Sequence, residues 1–154
     1  MKEIKLTKGK VAIVDDEDYD WLMQWKWRIN SIGYAMRTVK KNGKARTIFM
    51  HRVILNTPSD MCSDHANHNR LDNRRCNLRI CTKQQNQANA PAPKNNRSGV
   101  KGVSWNGRDN MWMACISFYD KTIHLGAYKD INDAAQAYAQ KARELFGEFA
   151  YTGD

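Results

Sequence analysis

Residues 63–86 read SDHANHNRLDNRRCNLRICTKQQN. A stretch with so many Asp, Asn, His and Arg side chains cannot be an element of the apolar core, so it is the part of the chain where a functional site is expected. Hydrolysis of a phosphodiester bond needs a base to activate water, a cation to stabilise the developing charge, and groups that hold both in place. Asp64, His65, Asn77 and Asn86 can supply all of these. The stretch therefore predicts a hydrolytic site.

The spacing of these residues carries more weight than the Asp-His pair alone, because a carboxylate beside a histidine more often makes only a local hydrogen bond. Asn77 follows His65 by 12 residues, and Asn86 follows Asn77 by nine. Residues 77–80 are predicted as a strand that enters a helix over residues 83–88.

The net charge of +9 is concentrated in one block of the 154-residue chain. Residues 26–101 carry sixteen Lys and Arg against three Asp, a net charge of +13, whereas residues 1–25 and residues 102–154 each carry a net charge of −2. Such a block favours a nucleic-acid footprint over an evenly solvated basic surface. A membrane surface is the weaker alternative, because the sequence has no basic amphipathic helix with an apolar face.

Length and composition predict a globular protein of one ordinary domain or two very small ones. The apolar run 11–14 is too short to span a bilayer, and the first residues lack the core of a signal peptide, so we expect a cytoplasmic protein of a bacterial host or phage. Reduced thiols are then expected. A zinc site from Cys62, Cys76, Cys81 and a histidine is the less common alternative to small buried cysteines.

Upstream of residue 63, the pattern predicts a small twisted sheet. Residues 10–14 alternate in polarity, and Trp21, Leu22, Trp25 and Trp27 have the spacing of a short helix that runs into a strand, with the tryptophans in the core. Two strand-like runs follow, over residues 33–39 and 45–50. Between them, the dipeptide Asn42-Gly43 is typical of a two-residue hairpin turn.

Downstream, the composition changes at residues 86–98, which contain two prolines and no apolar periodicity. This segment is predicted as an interdomain linker. Beyond it, the patterns predict three strands, two turns at Asn106-Gly107 and Asp120-Lys121, and one amphipathic helix over residues 131–149. The strands are expected over residues 100–105, 111–119 and 122–125. Asp130 is placed to cap the helix, and Asp133 to favour its positive end.

At this point the residues resemble the ββα-metal motif of the HNH endonucleases, in particular the homing-endonuclease branch whose third signature residue is asparagine. Four positions match in order: Asp64, His65, Asn77 and Asn86. The resemblance spans about residues 1–90 and includes His51-Arg52-Val53.

The resemblance implies a role for each signature residue. His65 would be the general base and Asn77 the brace of the loop that orients it, while Asp64 and Asn86 would bind one divalent ion. Oxygen ligands suit Mg²⁺ or Mn²⁺ better than zinc. His51, which follows an apolar run, is expected to be structural, and His68 is expected on a variable loop surface, so both stay outside the catalytic set.

The last part of the chain resembles a second family, the Apetala-two or ethylene-response-factor (ERF) domain, which sets a three-stranded sheet into the DNA major groove and packs a helix behind it. The matching segments are residues 98–105, 112–116, 125–126 and 133–138. The plant domains offer several strand arginines where this chain has Lys101, Ser104 and Ser117, so their recognition code is not transferred. Trp105 is a candidate DNA contact, and Trp112 is either a DNA contact or core.

Together these patterns predict an α+β protein: a small N-terminal sheet that leads into a ββα-metal nuclease fold, then a three-stranded antiparallel sheet packed on one helix. The expected domains are a nuclease over residues 1–90, a linker over 91–97 and a DNA-binding domain over 98–154. The partner is double-stranded DNA, bound by a monomer or a homodimer. The alternative is a non-catalytic DNA-binding regulator with a vestigial nuclease motif.

Basic and aromatic side chains are the candidate DNA contacts. Hairpin charges are often only solvated, and Asp72 is expected to pair with one arginine of the central loop. Asp72 and Asn73 are expected to brace that loop. The candidate contacts are Arg37, Lys40, Lys41, Lys44, Arg46, Arg70, Arg74, Arg75, Arg79, Lys101, Trp105 and Arg108.

Overall fold

Groups of two or three short strands are separated by single helices, which makes the chain a mixed α+β protein as the sequence predicts. The computed structural model describes residues 1–153. The chain divides into two compact units, Met1–Thr82 and Lys83–Asp154. Within the described residues, no helix is both long enough and apolar enough to cross a membrane.

The first unit is built from three small antiparallel sheets with strand orders β1-β2, β3-β4-β5 and β6-β7. A 3-10 turn over Thr7–Gly9 separates the first two strands. The elements, in chain order, are β1 Lys2–Lys5, β2 Val11–Val14, α1 Asp16–Leu22, β3 Arg28–Ile29, β4 Ala35–Lys41, β5 Lys44–Phe49, α2 Met50–Ile54, β6 Cys62–His65 and β7 Leu78–Cys81.

The predicted hairpin between β4 and β5 is confirmed. Asn42 and Gly43 have φ angles of 51° and 72°, and Lys41 pairs with Lys44 directly across them. Two positive φ angles match the turn to the twist of the strands. The predicted second strand runs one residue too far, because Met50 begins α2 and is fully buried in the core.

The core of the first unit gathers apolar side chains from its strands and helices: Ile4, Leu6, Ala12, Val14, Leu22, Trp27, Ala35, Met50, Ile54 and Leu78. Trp27 is buried, and its indole N–H donates to the carbonyl of Leu22 at 2.8 Å. Trp21 and Trp25 pack against this core while partly exposed. The expected core position is therefore confirmed for Trp27, whereas α1 ends before Trp25.

The second unit contains one three-stranded antiparallel sheet with strand order β10-β9-β8. Its elements are α3 Lys83–Asn89, β8 Val103–Asn106, β9 Met111–Phe118, β10 Lys121–Tyr128 and α4 Ile131–Phe146, followed by a 3-10 turn over Gly147–Phe149. Residues 91–97 form neither helix nor strand. The division between the units falls before α3, and the limits predicted for the domains and the linker stay a prediction.

Helix α4 packs on the sheet through its small and aromatic side chains. Ala134 meets apolar residues of β8 and β9, and Tyr138 and Ala142 pack with Ile116. The predicted cap is confirmed, because an Asp130 carboxylate oxygen accepts the Asn132 N–H at 2.7 Å. The helix ends at Phe146 rather than residue 149, since the next residue, a glycine, has a φ of 54° outside the helical range.

The turn between β9 and β10 differs by one residue from the prediction. Lys121 pairs with Phe118, so the turn residues are Tyr119 and Asp120 rather than Asp120-Lys121. Tyr119 has a φ of 52°. The turn between β8 and β9, predicted at Asn106-Gly107, also begins later than expected, because Asn106 still pairs with Met111.

Gly102, which directly precedes β8, lies close to the ring of Tyr138 on α4. Its φ is 73°, and a Cβ atom there would lie 2.2 Å from the Tyr138 ring and 2.4 Å from the Cys115 carbonyl oxygen. The Gly102 carbonyl also accepts the Cys115 N–H at 2.8 Å, so the backbone cannot withdraw without losing that bond. Only glycine fits this position without displacement of its neighbours.

We expect Gly102→Ala to lower the free energy of unfolding by about 3 kcal/mol, because the added methyl group overpacks the site and strains a left-handed residue. Urea unfolding followed by tryptophan fluorescence measures this effect. Gly107→Ala is the matched control: its nearest neighbour would be Trp105 Nε1 at 3.9 Å, an ordinary contact. We expect the control to change stability by less than about 0.5 kcal/mol. Equal losses in both variants would contradict the packing argument.

Candidate active site

Strand β6 carries two of the four signature residues, and a third directly precedes β7. Asp64 and His65 are the last two residues of β6, where they pair with Arg79 and Leu78 of β7. Asn77 directly precedes β7, and its carbonyl accepts the Ala66 N–H at 2.9 Å, which extends the ladder. The strand pairing therefore places these residues at the mouth of one loop, residues 66–77, which we call the central loop.

Asn77 joins distant points of the central loop through its side chain. Its amide oxygen accepts the Asn67 N–H at 3.0 Å, and its amide nitrogen donates to the Asp72 carbonyl at 2.8 Å. The side chain is buried, so water does not compete for these bonds.

Asp72 holds a second set of bonds inside the same loop. Its carboxylate accepts two hydrogen bonds from the Arg74 guanidinium, at 2.8 and 2.7 Å, and one from the Asn67 amide at 2.9 Å. The bond with Arg74 is the main reason why the pKa of Asp72 lies below its ordinary value. The prediction that Asp72 pairs with an arginine of the central loop is therefore confirmed. That arginine is Arg74, which is also a candidate DNA contact.

Arg75 binds the acidic helix α1 instead of pointing away from the protein. Its guanidinium donates to both carboxylate oxygens of Asp18, at 2.8 and 2.7 Å, and its backbone N–H donates to Asp15 at 2.7 Å. Asp18 is buried and also accepts the Trp21 indole N–H at 3.1 Å. This bidentate ion pair attaches the central loop to α1.

Asp64 is buried and forms an ion pair with Arg79, its cross-strand neighbour. The guanidinium of Arg79 is itself mostly enclosed, with 17% of the side chain exposed. A buried carboxylate needs such compensation, because removal of an ionised group from water is otherwise costly. Arg79 therefore neutralises the predicted metal ligand.

His65 is almost completely enclosed, with 4% of its surface exposed. Burial lowers the pKa of His65 below its ordinary value. The Asn73 side chain and the charges of Asp64 and Asp72 oppose this shift without cancelling it. The imidazole is thus neutral at neutral pH, the form that can accept a proton.

His51 lies against His65, although sequence reasoning kept it outside the candidate catalytic set. The centroids of the two rings are 5.1 Å apart and their planes are nearly perpendicular, at 80°. The Tyr34 ring packs near both histidines, with its centroid 5.1 Å from that of His51 and 5.7 Å from that of His65. Burial lowers the pKa of His51 to about 3, with the neighbouring His65 as the next cause.

One signal in the sequence could have led to this arrangement. The resemblance already included the triplet His51-Arg52-Val53. Arg52 donates to the carbonyls of Met61 at 2.9 Å and Pro58 at 2.8 Å, which attaches α2 to the segment before β6. No comparable signal pointed to Tyr34, whose contact with His65 depends on tertiary packing.

Asn86 lies on α3, which belongs to the second unit. Among residues 1–153, no group of three or more His, Cys, Asp or Glu side chains could hold a metal ion. The four cysteines are free thiols: Cys62, Cys76, Cys81 and Cys115.

The candidate DNA contacts of the hairpin lie on its exposed strands and turn: Lys40, Lys41, Lys44 and Arg46. Arg37 differs, because its guanidinium carbon lies 4.0 Å from the centroid of the Trp25 ring and 5.7 Å from that of Trp27. An open cavity of about 680 Å³ borders these three side chains and also Lys26 and Arg28.

Arg70, another candidate DNA contact, is anchored within the first unit. Its guanidinium donates to the Ile32 carbonyl and lies 4.9 Å from the centroid of the Tyr34 ring. Arg70 thus borders Tyr34, which contacts His65, while the residue itself is exposed.

Lys101 has a different environment from the one predicted for a DNA contact. Its ammonium donates to the carbonyls of Gln87, Ala88 and Ala90 at 2.8, 2.7 and 2.7 Å. Burial lowers its pKa to about 8. All three ammonium hydrogens can be used at the end of α3, so a DNA phosphate would have to displace a carbonyl.

Trp105 and Trp112 share one edge-to-face contact, with centroids 5.1 Å apart, but differ in exposure. Trp112 packs against the apolar cluster beneath α4, whereas half of the Trp105 surface is exposed. Arg108 is exposed in the turn that follows. Of the two tryptophans, Trp112 belongs with the core and Trp105 is available to a partner.

Comparison with known proteins assigns the family. Residues 56–88, which include all four signature positions, match the family model for HNH endonucleases. An uncharacterised HNH endonuclease of Acanthamoeba polyphaga mimivirus is 33% identical over 144 residues, which cover 93% of this chain and 74% of the viral protein. The chain belongs to the HNH endonuclease family. The family and this relative support the prediction that the protein is a nuclease enzyme.

A second relative of this HNH endonuclease also comes from a virus. Protein 3.8 of Escherichia phage T7 is 32% identical over 93 residues, which cover 60% of this chain and 76% of the phage protein. Two viral relatives fit the expected origin in a phage or mobile element. No solved structure matches the chain.

We expect Arg75→Ala to lower the free energy of unfolding by about 2 kcal/mol, because it leaves the buried Asp18 carboxylate without its guanidinium partner, which is itself 46% exposed. In an Asp18→Asn background, the same substitution should cost less, since no buried charge is then left uncompensated. Thermal and urea unfolding measure both differences. Arg46→Ala on the exposed hairpin is the control and should change stability by less than about 0.5 kcal/mol. If Arg75→Ala behaves like this control, the ion pair does not stabilise the fold.

Proposed function

We propose that this HNH endonuclease hydrolyses phosphodiester bonds of double-stranded DNA with His65 as the general base. The observation that carries the proposal is the enclosed imidazole of His65 at the end of β6, directly after Asp64 in the chain. A general base must be unprotonated in order to take a proton from the attacking water. Burial keeps His65 in that form, and the strand fixes its backbone.

Asn77 serves in this proposal as the brace of the central loop. Its amide bonds to Asn67 and Asp72 span the loop that separates His65 from β7. A catalytic base must be held close to one orientation, because small misplacements of a reacting group reduce the rate strongly. Asn77 would thus act on the rate without contact with the water.

A divalent ion is the cofactor that the residues suit. HNH endonucleases generally depend on a divalent metal ion, and we assign Asp64 and Asn86 as protein ligands of one Mg²⁺ or Mn²⁺. Carboxylate and amide oxygens are the donors that these ions prefer. When bound, such an ion stabilises negative charge on the phosphate and the leaving oxygen. Arg79 compensates the charge of Asp64 within the first unit.

The DNA surface of the first unit is proposed on the β4–β5 hairpin, where the exposed Lys40, Lys41, Lys44 and Arg46 can contact phosphates. Arg37 can join them from its place over Trp25. Arg70, Arg74, Arg75 and Arg79 have partners inside the protein, so we propose that they support the site and add their charge to its potential.

For the rest of the chain we propose an Apetala-two/ERF-like DNA-binding domain over residues 98–154, joined to the nuclease domain over 1–90 by the linker 91–97. A three-stranded sheet packed on α4, with Trp105 and Arg108 exposed, supports this proposal. Lys101 would mainly support α3 there. A homodimer on DNA would allow both strands to be cut.

We expect His65→Ala to reduce plasmid nicking by at least about 100-fold, with little change in DNA affinity, because a base contributes to the transition state rather than to ground-state binding. Single-turnover nicking with excess enzyme and a DNA-binding titration measure the two effects. His68→Asn is the matched control, because His68 is exposed and asparagine tolerates its φ of 61°. Wild-type nicking by His65→Ala would show that another group is the base.

We expect Asp64→Asn to raise the Mg²⁺ concentration required for half-maximal nicking, because the variant keeps the ligand's shape but loses its negative charge. The measurement is a Mg²⁺ titration of the nicking rate, with a chelator-treated sample as the zero point. Asp60→Asn makes the same charge change at an exposed position and should leave the titration unchanged. An unaltered titration for Asp64→Asn would move the metal ligands elsewhere.

A further inference from the structure

We propose that His51 is a positioning residue of this nuclease, whose ring holds the imidazole of His65 in its catalytic orientation. The inference rests on the proposed role of His65 as general base. It concerns a residue of α2, upstream of the four signature positions.

The contact between the two histidine rings restricts how His65 can turn. Their centroids are 5.1 Å apart and their planes meet at 80°, so the edge of one ring faces the other. Edge-to-face packing is favourable and directional. A rotation of the His65 ring about its bond to Cβ would replace this contact by a clash or a gap.

His51 is itself held firmly. The Phe49 ring stacks on His51, with centroids 5.5 Å apart and an interplanar angle of 21°. The centroid of the Tyr34 ring lies 5.1 Å from that of His51. Only 7% of the His51 surface is exposed. Tyr34 also reaches His65, so the two histidines, Tyr34 and Phe49 form one packed group of rings. Rigid neighbours of this kind preorganise a catalytic side chain.

The contact of His51 with His65 is ring packing, and the Nδ1 atom of His51 takes no part in a hydrogen bond to His65. That Nδ1 atom is buried and has no hydrogen-bond partner within residues 1–153. A hydrogen bond from Nδ1 therefore does not orient His65, and a planar aromatic ring of similar size should replace His51. This gives the proposal a conservative variant with a defined result.

The test compares His51→Ala, His51→Leu and His51→Phe with the wild type. Each variant is assayed by single-turnover plasmid nicking over a range of enzyme concentrations, at a temperature where circular dichroism shows it folded. We expect the alanine and leucine variants to lose at least about tenfold in the maximal rate, with half-saturation changed by less than about twofold. The phenylalanine variant should stay within about threefold of the wild type. Leucine fills most of the volume of the histidine ring but is not planar. The His51→Leu variant therefore tests the role of the ring even if His51→Ala does not fold.

Ile54→Ala is the control for a merely structural effect. Ile54 is buried on the same helix but packs into the apolar core of the first unit. It should lose stability while its maximal nicking rate stays near that of the wild type. A loss of rate equal to that of His51→Leu would overturn the proposal.

A double-mutant cycle with His65→Ala separates positioning from other roles. If His51 acts only through His65, His51→Leu causes no further loss once His65 is absent. The proposal would be refuted if His51→Leu lowered the nicking rate a further tenfold in the His65→Ala background. It would also be refuted if the single variant His51→Leu nicked at the wild-type rate, or if His51→Leu and His51→Phe lost the same fraction of the maximal rate. Wild-type nicking by His65→Ala would instead overturn the proposed base, and this inference with it.

Discussion

The arrangement of the site depends on the side-chain amide of Asn77. This buried amide bonds to the backbone at Asn67 and at Asp72, two points of the central loop that are not neighbours in the chain. Buried backbone groups left without partners would cost free energy, so the amide stabilises one loop conformation over the alternatives. His65 precedes this loop directly, and its pairing with Leu78 of β7 places it at the mouth of the loop.

Charge in the central part of the chain performs two separate physical roles. Arginines around the central loop compensate buried carboxylates, as Arg75 does for Asp18 and Arg79 for Asp64. The lysines on the β4–β5 hairpin are instead exposed to solvent. A single basic block in the sequence thus combines the internal support of a polar active site with a surface that can attract phosphate.

The second unit depends on a close approach between its sheet and helices. Gly102 allows the backbone of that region to meet Tyr138 and Cys115. The preceding residue, Lys101, extends its ammonium to the last carbonyls of α3, where the negative end of the helix dipole favours a cation. Lys101 therefore contacts α3, and the next residue, Gly102, contacts α4. These contacts are consistent with α3 lying in the second unit, although the sequence pattern predicts α3 as part of the nuclease motif.

The sequence by itself determined the features that arise within a few residues of chain. Asn42-Gly43 predicts its hairpin because both residues accept positive φ, and Asp130 predicts a helix start because its carboxylate reaches a nearby N–H. Tertiary structure alone decided which side chains meet. Arg75 finds Asp18 across 57 residues, and His51 packs on His65. Local signals act through backbone geometry, whereas such partners are selected by which polar groups and rings folding removes from water together.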